Sequence, residues 1–242
     1  MLQALVDVVS SECWLKPCIA AMELCQMVVQ GLWDRDSYLL QIPHFTKEIV
    51  KRCEALAEPV ESPLGILELD DDVREKMLQL PPAKMADVAR FCNAYPNIDL
   101  EWEVVGGVDC VVAGKPISVV VTLERETEDG EEEEGGLPVT TQAVAPLYPK
   151  PKMEAWWLIV GDPARNSLLF IKRVNNVAKR TRTRLNFAAP TEAGDHDLKL
   201  YFICDSYMGA DQEYDLSLSV LPGESDEEES ESDGEKMDVD KK

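Results

Sequence analysis

The chain has 242 residues, 45% of them hydrophobic, and a formal net charge of −22, so a sizeable core is within reach for one large domain or two ordinary ones. That carboxylate excess repels nucleic-acid phosphate on average and favours partners with basic surfaces, although much of it is concentrated in residues 124–134 and 224–240. No apolar stretch approaches the ~18 residues that span a membrane, and no basic segment precedes an apolar run as in a signal peptide.

In chain order, Leu2, Leu5, Val6 and Val9 recur at helical spacing. A second helix follows, with Pro17 in its first turn, where a missing N–H costs nothing. Ile19, Met22, Val29 and Trp33 line one of its sides, and Ala21, Leu24, Cys25 and Val28 fill most of the rest. A helix apolar nearly all round is a buried helix, and two helices cannot bury it alone. Residues 1–36 therefore read as the last helices of a larger bundle.

Four short helices are predicted next. Thr46 caps one bearing Ile49, Val50, Cys53 and Leu56. Ser62-Pro63 opens another with Leu64 and Leu67, and 70–72 caps a third with Val73, Met77 and Leu80. Pro81-Pro82 starts the fourth, with Met85, Val88, Ala89 and Cys92, and Pro96 stops it. Residues 37–96 thus look like a helix-loop-helix unit. Hairpins of this kind hold DNA when a glycine-rich link aims N–H groups at phosphate, whereas the link here is Leu69-Asp70-Asp71-Asp72.

After Asn97 the period falls from 3.6 to 2. Leu100, Trp102 and Val104 alternate with Glu101 and Glu103, and Ile117, Val119, Val121 and Leu123 follow. Further strands are predicted over 155–160, 168–174, 183–187, 198–204 and 214–220. Seven or eight strands separated by turns make a β-sandwich over 97–222. Of the adjacent Trp156 and Trp157, one enters the core and the other covers an outer face or the helical half. The fold class is α+β, multidomain, with an acidic loop inserted at 124–137 and a disordered acidic tail at 223–242.

The residues offer little chemistry. The seven cysteines are odd in number and contain no C-x-x-C pair, so the close ligand pairs of a zinc ribbon are missing and buried, reduced thiols are expected. No G-x-x-x-x-G-K-[ST] loop is present to cradle a nucleotide. The two histidines, His44 and His196, stand without G-x-S-x-G or H-E-x-x-H. Arg180, Arg182 and Arg184 alternate with Thr181 and Thr183, so on a strand they share one face near Lys172, Arg173 and Lys179. This basic row is either a dock for an acidic protein segment or RNA phosphate, or a solvated face neutralised by the chain's own acidic loops. Ser225, Ser230 and Ser232 each have a carboxylate three residues on, the pattern favoured by acidophilic kinases. They are candidate phosphorylation sites, or simply part of a solubilising tail.

Trp14–Trp33 (WLKPCIAAMELCQMVVQGLW), Met85–Val105 (MADVARFCNAYPNIDLEWEVV), Glu154–Asp162 (EAWWLIVGD) and Asp205–Tyr214 (DSYMGADQEY) together resemble the C-terminal Sec-sixty-three-type unit of the large spliceosomal RNA helicases of the tri-snRNP. The resemblance covers residues 1–222 and departs at the acidic insertion and the tail. It implies a helical bundle, a helix-loop-helix and an immunoglobulin-like or fibronectin type III domain. It also implies a nuclear parent whose ATP and magnesium are bound in motor domains absent here; this fragment holds no cofactor. The tail suggests the second, C-terminal cassette, an intramolecular regulator and protein-docking platform in pre-mRNA splicing. Implied partners are the rest of the helicase cassettes and spliceosomal proteins, with RNA contacted weakly or indirectly and no membrane. The alternatives are the equivalent unit of the endoplasmic-reticulum translocation component, or an accessory RNA-binding module.

Overall fold

The computed structural model describes residues 2–126 and 141–223. The acidic insertion beyond Glu126 and the tail beyond Gly223 lie outside them, as do Ser225, Ser230 and Ser232. Two helices open the chain, α1 (Leu2–Ser11) and α2 (Leu15–Gln30), the second ending on Gly31 in the left-handed conformation. A 3₁₀ turn (Tyr38–Gln41) leads to α3 (Lys47–Glu54), α4 (Pro63–Glu68), α5 (Asp71–Leu78) and α6 (Pro82–Ala94). Local chemistry sets these starts. Thr46 Oγ1 accepts the Ile49 N–H, Ser62 Oγ accepts the Gly65 N–H, and Pro63 and Pro82 occupy first turns.

Ten strands follow. They are β1 (Ile98–Val104), β2 (Val111–Val112), β3 (Pro116–Arg125), β4 (Gln142–Ala143), β5 (Lys152–Met153), β6 (Ala155–Asp162), β7 (Ser167–Asn175), β8 (Arg180–Ala188), β9 (Gly194–Cys204) and β10 (Gln212–Leu221). One sheet runs β1-β3-β8 and a second β2-β10-β9-β6-β7, with β4-β5 as a small separate pair. The long strands all pair antiparallel, and β2 joins β10 in parallel. An N-terminal helical region is thus followed by a sandwich-like pair of sheets.

All eight residues of β6 are buried, because both of its faces are covered. Trp156 points between the sheets and stacks on Phe202, ring centroids 4.2 Å apart. Trp157 points the other way, into a second core with Ile159, Leu168, Tyr201 and Ile203 against Leu15, Cys18, Ala21, Met22 and Cys25 of α2. A glycine makes that approach possible: a Cβ on Gly161 would lie 2.5 Å from Leu15 Cδ1. The inner face of α2 is therefore seated on the sheet. The period of a helix shows how much of it is apolar, not what covers it.

Burial of the cysteines holds at five positions and fails at two. Cys13 and Cys110 are exposed, while Cys18, Cys25, Cys53, Cys92 and Cys204 are buried, all as free thiols. Burial pushes the Cys18 and Cys25 thiols up to about 11, which makes them inert packing groups.

Candidate interaction surfaces

The segment joining β9 to β10 is where the helical region meets the sheets. Three buried glutamines reach it from the helical side. Gln26 Nε2 donates to the Cys204 carbonyl (2.8 Å) and to the Asp211 carboxylate, and Gln30 Nε2 donates to the Ser206 carbonyl (2.6 Å). Gln41 Nε2 donates to the Met208 carbonyl, which also accepts Tyr95 Oη, and the Met208 N–H returns to Gln41 Oε1. Tyr207 is wedged edge-on against Phe91 and Tyr95, and its hydroxyl accepts the Val144 N–H. Gly209, at φ +80°, leaves room for the Tyr38 ring, which a Cβ would meet at 2.6 Å. Buried amides are tolerated because each finds a partner, and the exchange fixes the helical region against the sheets.

Two charge clusters brace the sheet beside it. Asp205 is 3% exposed; it accepts the Ala155 N–H and Ser206 Oγ and pairs with Lys152 and with Arg173, whose guanidinium lies 4.8 Å over the Trp157 ring. Glu154 is paired with Arg125 and accepts Trp156 Nε1 at 2.7 Å. Neither cluster opens to a reacting atom. His196 Nε2 contacts the Glu192 carbonyl at 2.8 Å, and His44 Nε2 contacts Asp87, so both histidines tie loops down. Among the described residues no group of three or more His, Cys, Asp or Glu side chains is placed to hold a metal ion.

The arginine row lies on β8, where Arg180, Arg182 and Arg184 are exposed on one face and alternate with half-buried threonines. The register β1-β3-β8 sets carboxylates across from them: Arg180 pairs with Glu124 at 3.6 Å and Arg182 with Glu103 at 2.9 Å. Among the described residues, the carboxylates paired with the row come from two neighbouring strands. Arg184 has no ion pair among the described residues. A third surface was legible only as an apolar helix. With its inner face on the sheet, α2 turns Ala20, Leu24 and Val28 outward at four-residue spacing. Val28 is 46% exposed, Leu5 and Val8 of α1 are exposed as well, and Trp14 stands out between the helices at 52%. The glutamine contacts were missed from sequence, and their one signal is Gln26 and Gln30 at i, i+4 inside an apolar helix.

The pattern of a family matches this architecture across both halves. The Sec63 Brl domain matches residues 1–217, and the chain belongs to that family. It is similar to the U5 small nuclear ribonucleoprotein 200 kDa helicase of Drosophila melanogaster, at 49% identity over 96% of this chain and 10% of that protein. It is similar also to the DExH-box ATP-dependent RNA helicase DExH13 of Arabidopsis thaliana, at 48% identity over 91% of this chain and again 10% of the relative. The chain therefore spans about a tenth of the length of the curated relatives it matches. Among solved structures, a CARDB domain from Pyrococcus furiosus is only loosely alike, with a TM-score of 0.32 at 13% identity over 52% of this chain and 90% of that one.

Proposed function

We propose that this chain is a non-catalytic docking and intramolecular regulatory module of a spliceosomal, ATP-dependent RNA helicase that acts in the nucleus in pre-mRNA splicing. The observation that carries the reading is the outward row of α1 and α2. One face of the helix pair is seated on the sheet, while Leu5, Val8, Trp14 and Val28 remain exposed. Apolar side chains so placed mark a surface that another part of an assembly covers. The similarity to helicases ten times longer supports the remainder of the same helicase cassette as what covers it. The strand order β1-β3-β8 over β7-β6-β9-β10 supports a fibronectin type III or immunoglobulin-like domain over 97–222, after bundle helices (1–36) and a helix-loop-helix (37–96). ATP and magnesium belong to the parent's motor domains in this reading.

Arg180, Arg182 and Arg184 serve as a contact for an acidic protein segment rather than for RNA. Support comes from the partners the row already holds: Arg180 and Arg182 pair with the carboxylates of Glu124 and Glu103, so an acidic side chain is the group these guanidiniums bind. Phosphorylation of Ser225, Ser230 and Ser232 would add charge to the tail and alter such contacts.

The test is retention of spliceosomal proteins from nuclear extract by the immobilised chain. Retention that survives ribonuclease and is lost in Leu5→Lys/Val8→Lys/Val28→Lys supports docking through the helix pair. Retention that disappears with ribonuclease overturns it.

A further inference from the structure

A groove of ≈ 520 Å³ lies between α6 and the β4–β5 pair. That size is in the range of cavities that hold a ligand. Arg90 and Ala94, four apart on α6, form one wall. The link from β4 to β5 forms the other, with Tyr148 among three prolines, Pro146, Pro149 and Pro151.

The link is held in shape without a partner. Val144 N–H donates to Tyr207 Oη at 2.8 Å, and Tyr148 N–H to the Ala145 carbonyl at 3.0 Å. Leu147 sits over the end of α2, where a Cβ on Gly31 would meet its Cδ1 at 3.0 Å. Gln142 and Ala143 pair with Met153 and Lys152, and Lys152 Nζ is tied to Asp205 at 2.6 Å. The prolines fix φ at three further positions. Little ordering of the groove is therefore left to oppose docking.

Charge decides what the groove takes. Carboxylates outnumber Lys and Arg in the chain by 46 to 24, yet the described lining holds Arg90, Lys150 and Lys152 and no Asp or Glu. The carboxylates standing behind these cations leave a surplus. Asp87 pairs with Arg90 at 3.1 Å, and Asp205 is shared between Lys152 and Arg173. Lys150 is exposed and has no ion pair among the described residues. Between the cations the walls are apolar, with Ala94, Ala143 and Val144.

We propose that this groove holds an extended acidic segment of a partner protein, in which carboxylates alternate with apolar side chains. Period two in an extended chain sends the carboxylates to Arg90 and Lys150 and the apolar side chains to the alanine and proline walls. A nucleic-acid strand fits less well. It carries a charge at every nucleotide against a chain of net −22, and the lining offers one aromatic ring, Tyr148, where single strands stack on several. The exposed residues of the helix pair and the arginine row contribute nothing to the lining, so the site stands apart from both.

The experiment titrates the full chain with acetyl-Glu-Leu-Glu-Leu-Glu-amide and follows backbone amide shifts. Shifts are expected at Ala94, Val144 and Lys150. Binding should be roughly tenfold weaker in Arg90→Gln/Lys150→Gln, and also in Ala94→Phe, which fills the groove and leaves its charge alone. Unchanged β6 amides show that a variant is folded, and the charge variant decides alone should Ala94→Phe disturb them. Equal binding by the native chain and the charge variant overturns the proposal, as do shifts confined to β8. Equal binding of acetyl-Lys-Leu-Lys-Leu-Lys-amide removes the charge argument and overturns it. Tighter binding of pentauridylate at the same amides assigns the groove to nucleic acid and overturns it. Shifts that appear on concentrating the chain alone assign it to a second copy. Binding seen only in Glu131→Gln/Glu132→Gln/Glu133→Gln/Glu134→Gln assigns it to the chain's own insertion. Either result overturns an external partner, and so does the absence of binding to every one of these chains.

Discussion

Gln41 and Met208 exchange two hydrogen bonds across 167 positions of sequence, side-chain amide to carbonyl at 2.8 Å and backbone N–H to side-chain oxygen at 3.1 Å. The side chain acts as a short piece of strand, docking the 3₁₀ turn onto the segment between β9 and β10. Gln41→Ala leaves a buried N–H without its partner at Met208. A loss of about 1–3 kcal/mol is expected, measured by denaturant unfolding. A loss below the precision of that measurement would mean that water replaces the amide.

Gly161 and Leu15 set the seat of α2. Gly161→Ala places a methyl 2.5 Å from Leu15 Cδ1 and should cost about 1–3 kcal/mol through overpacking. In a Leu15→Ala background most of that cost should vanish, so the double-mutant cycle should show strong coupling. Additive losses would mean that the two residues do not share that space.

Much of the Asp211 residue is exposed, yet its carboxylate is turned inward, accepting from Gln26 and from the Cys204 N–H. Burial pushes this carboxyl up to about 6 from 3.8, against the pull of those two hydrogen bonds and with a further push from Glu23. A folded-state value above the unfolded one means a contribution that is full below 3.8 and lost as pH rises through about 6. Asp211→Asn should therefore flatten the fall in melting temperature between pH 3.8 and about pH 6. Parallel profiles for the two proteins would show that the carboxyl does not titrate in this window.

The Arg182–Glu103 pair is two-thirds exposed at both ends. Exposed pairs contribute little, so Arg182→Ser should change stability by no more than about 0.5 kcal/mol. A larger loss in thermal unfolding would show that the row is part of the fold rather than a surface available to a partner.

What the sequence revealed was local. Thr46 and Ser62 announce their helices because a hydroxyl and an N–H three residues on are enough to make a cap. The division of labour between Trp156 and Trp157 follows from the two-residue period of a strand. Arg180, Arg182 and Arg184 share a face for the same reason, but the approach of Glu103 and Glu124 depends on register between distant strands. The glutamine contacts stayed hidden because their acceptors are 167 to 178 positions away. Nor does a helical period tell whether a sheet or another helix covers α2.

The most direct test of docking through the helix pair is binding of this chain to the rest of the parent helicase, purified without it and treated with ribonuclease, followed by sedimentation velocity. The account predicts a complex that forms with the native chain and is lost with Leu5→Lys/Val8→Lys/Val28→Lys. A complex of equal stability with that variant would contradict it.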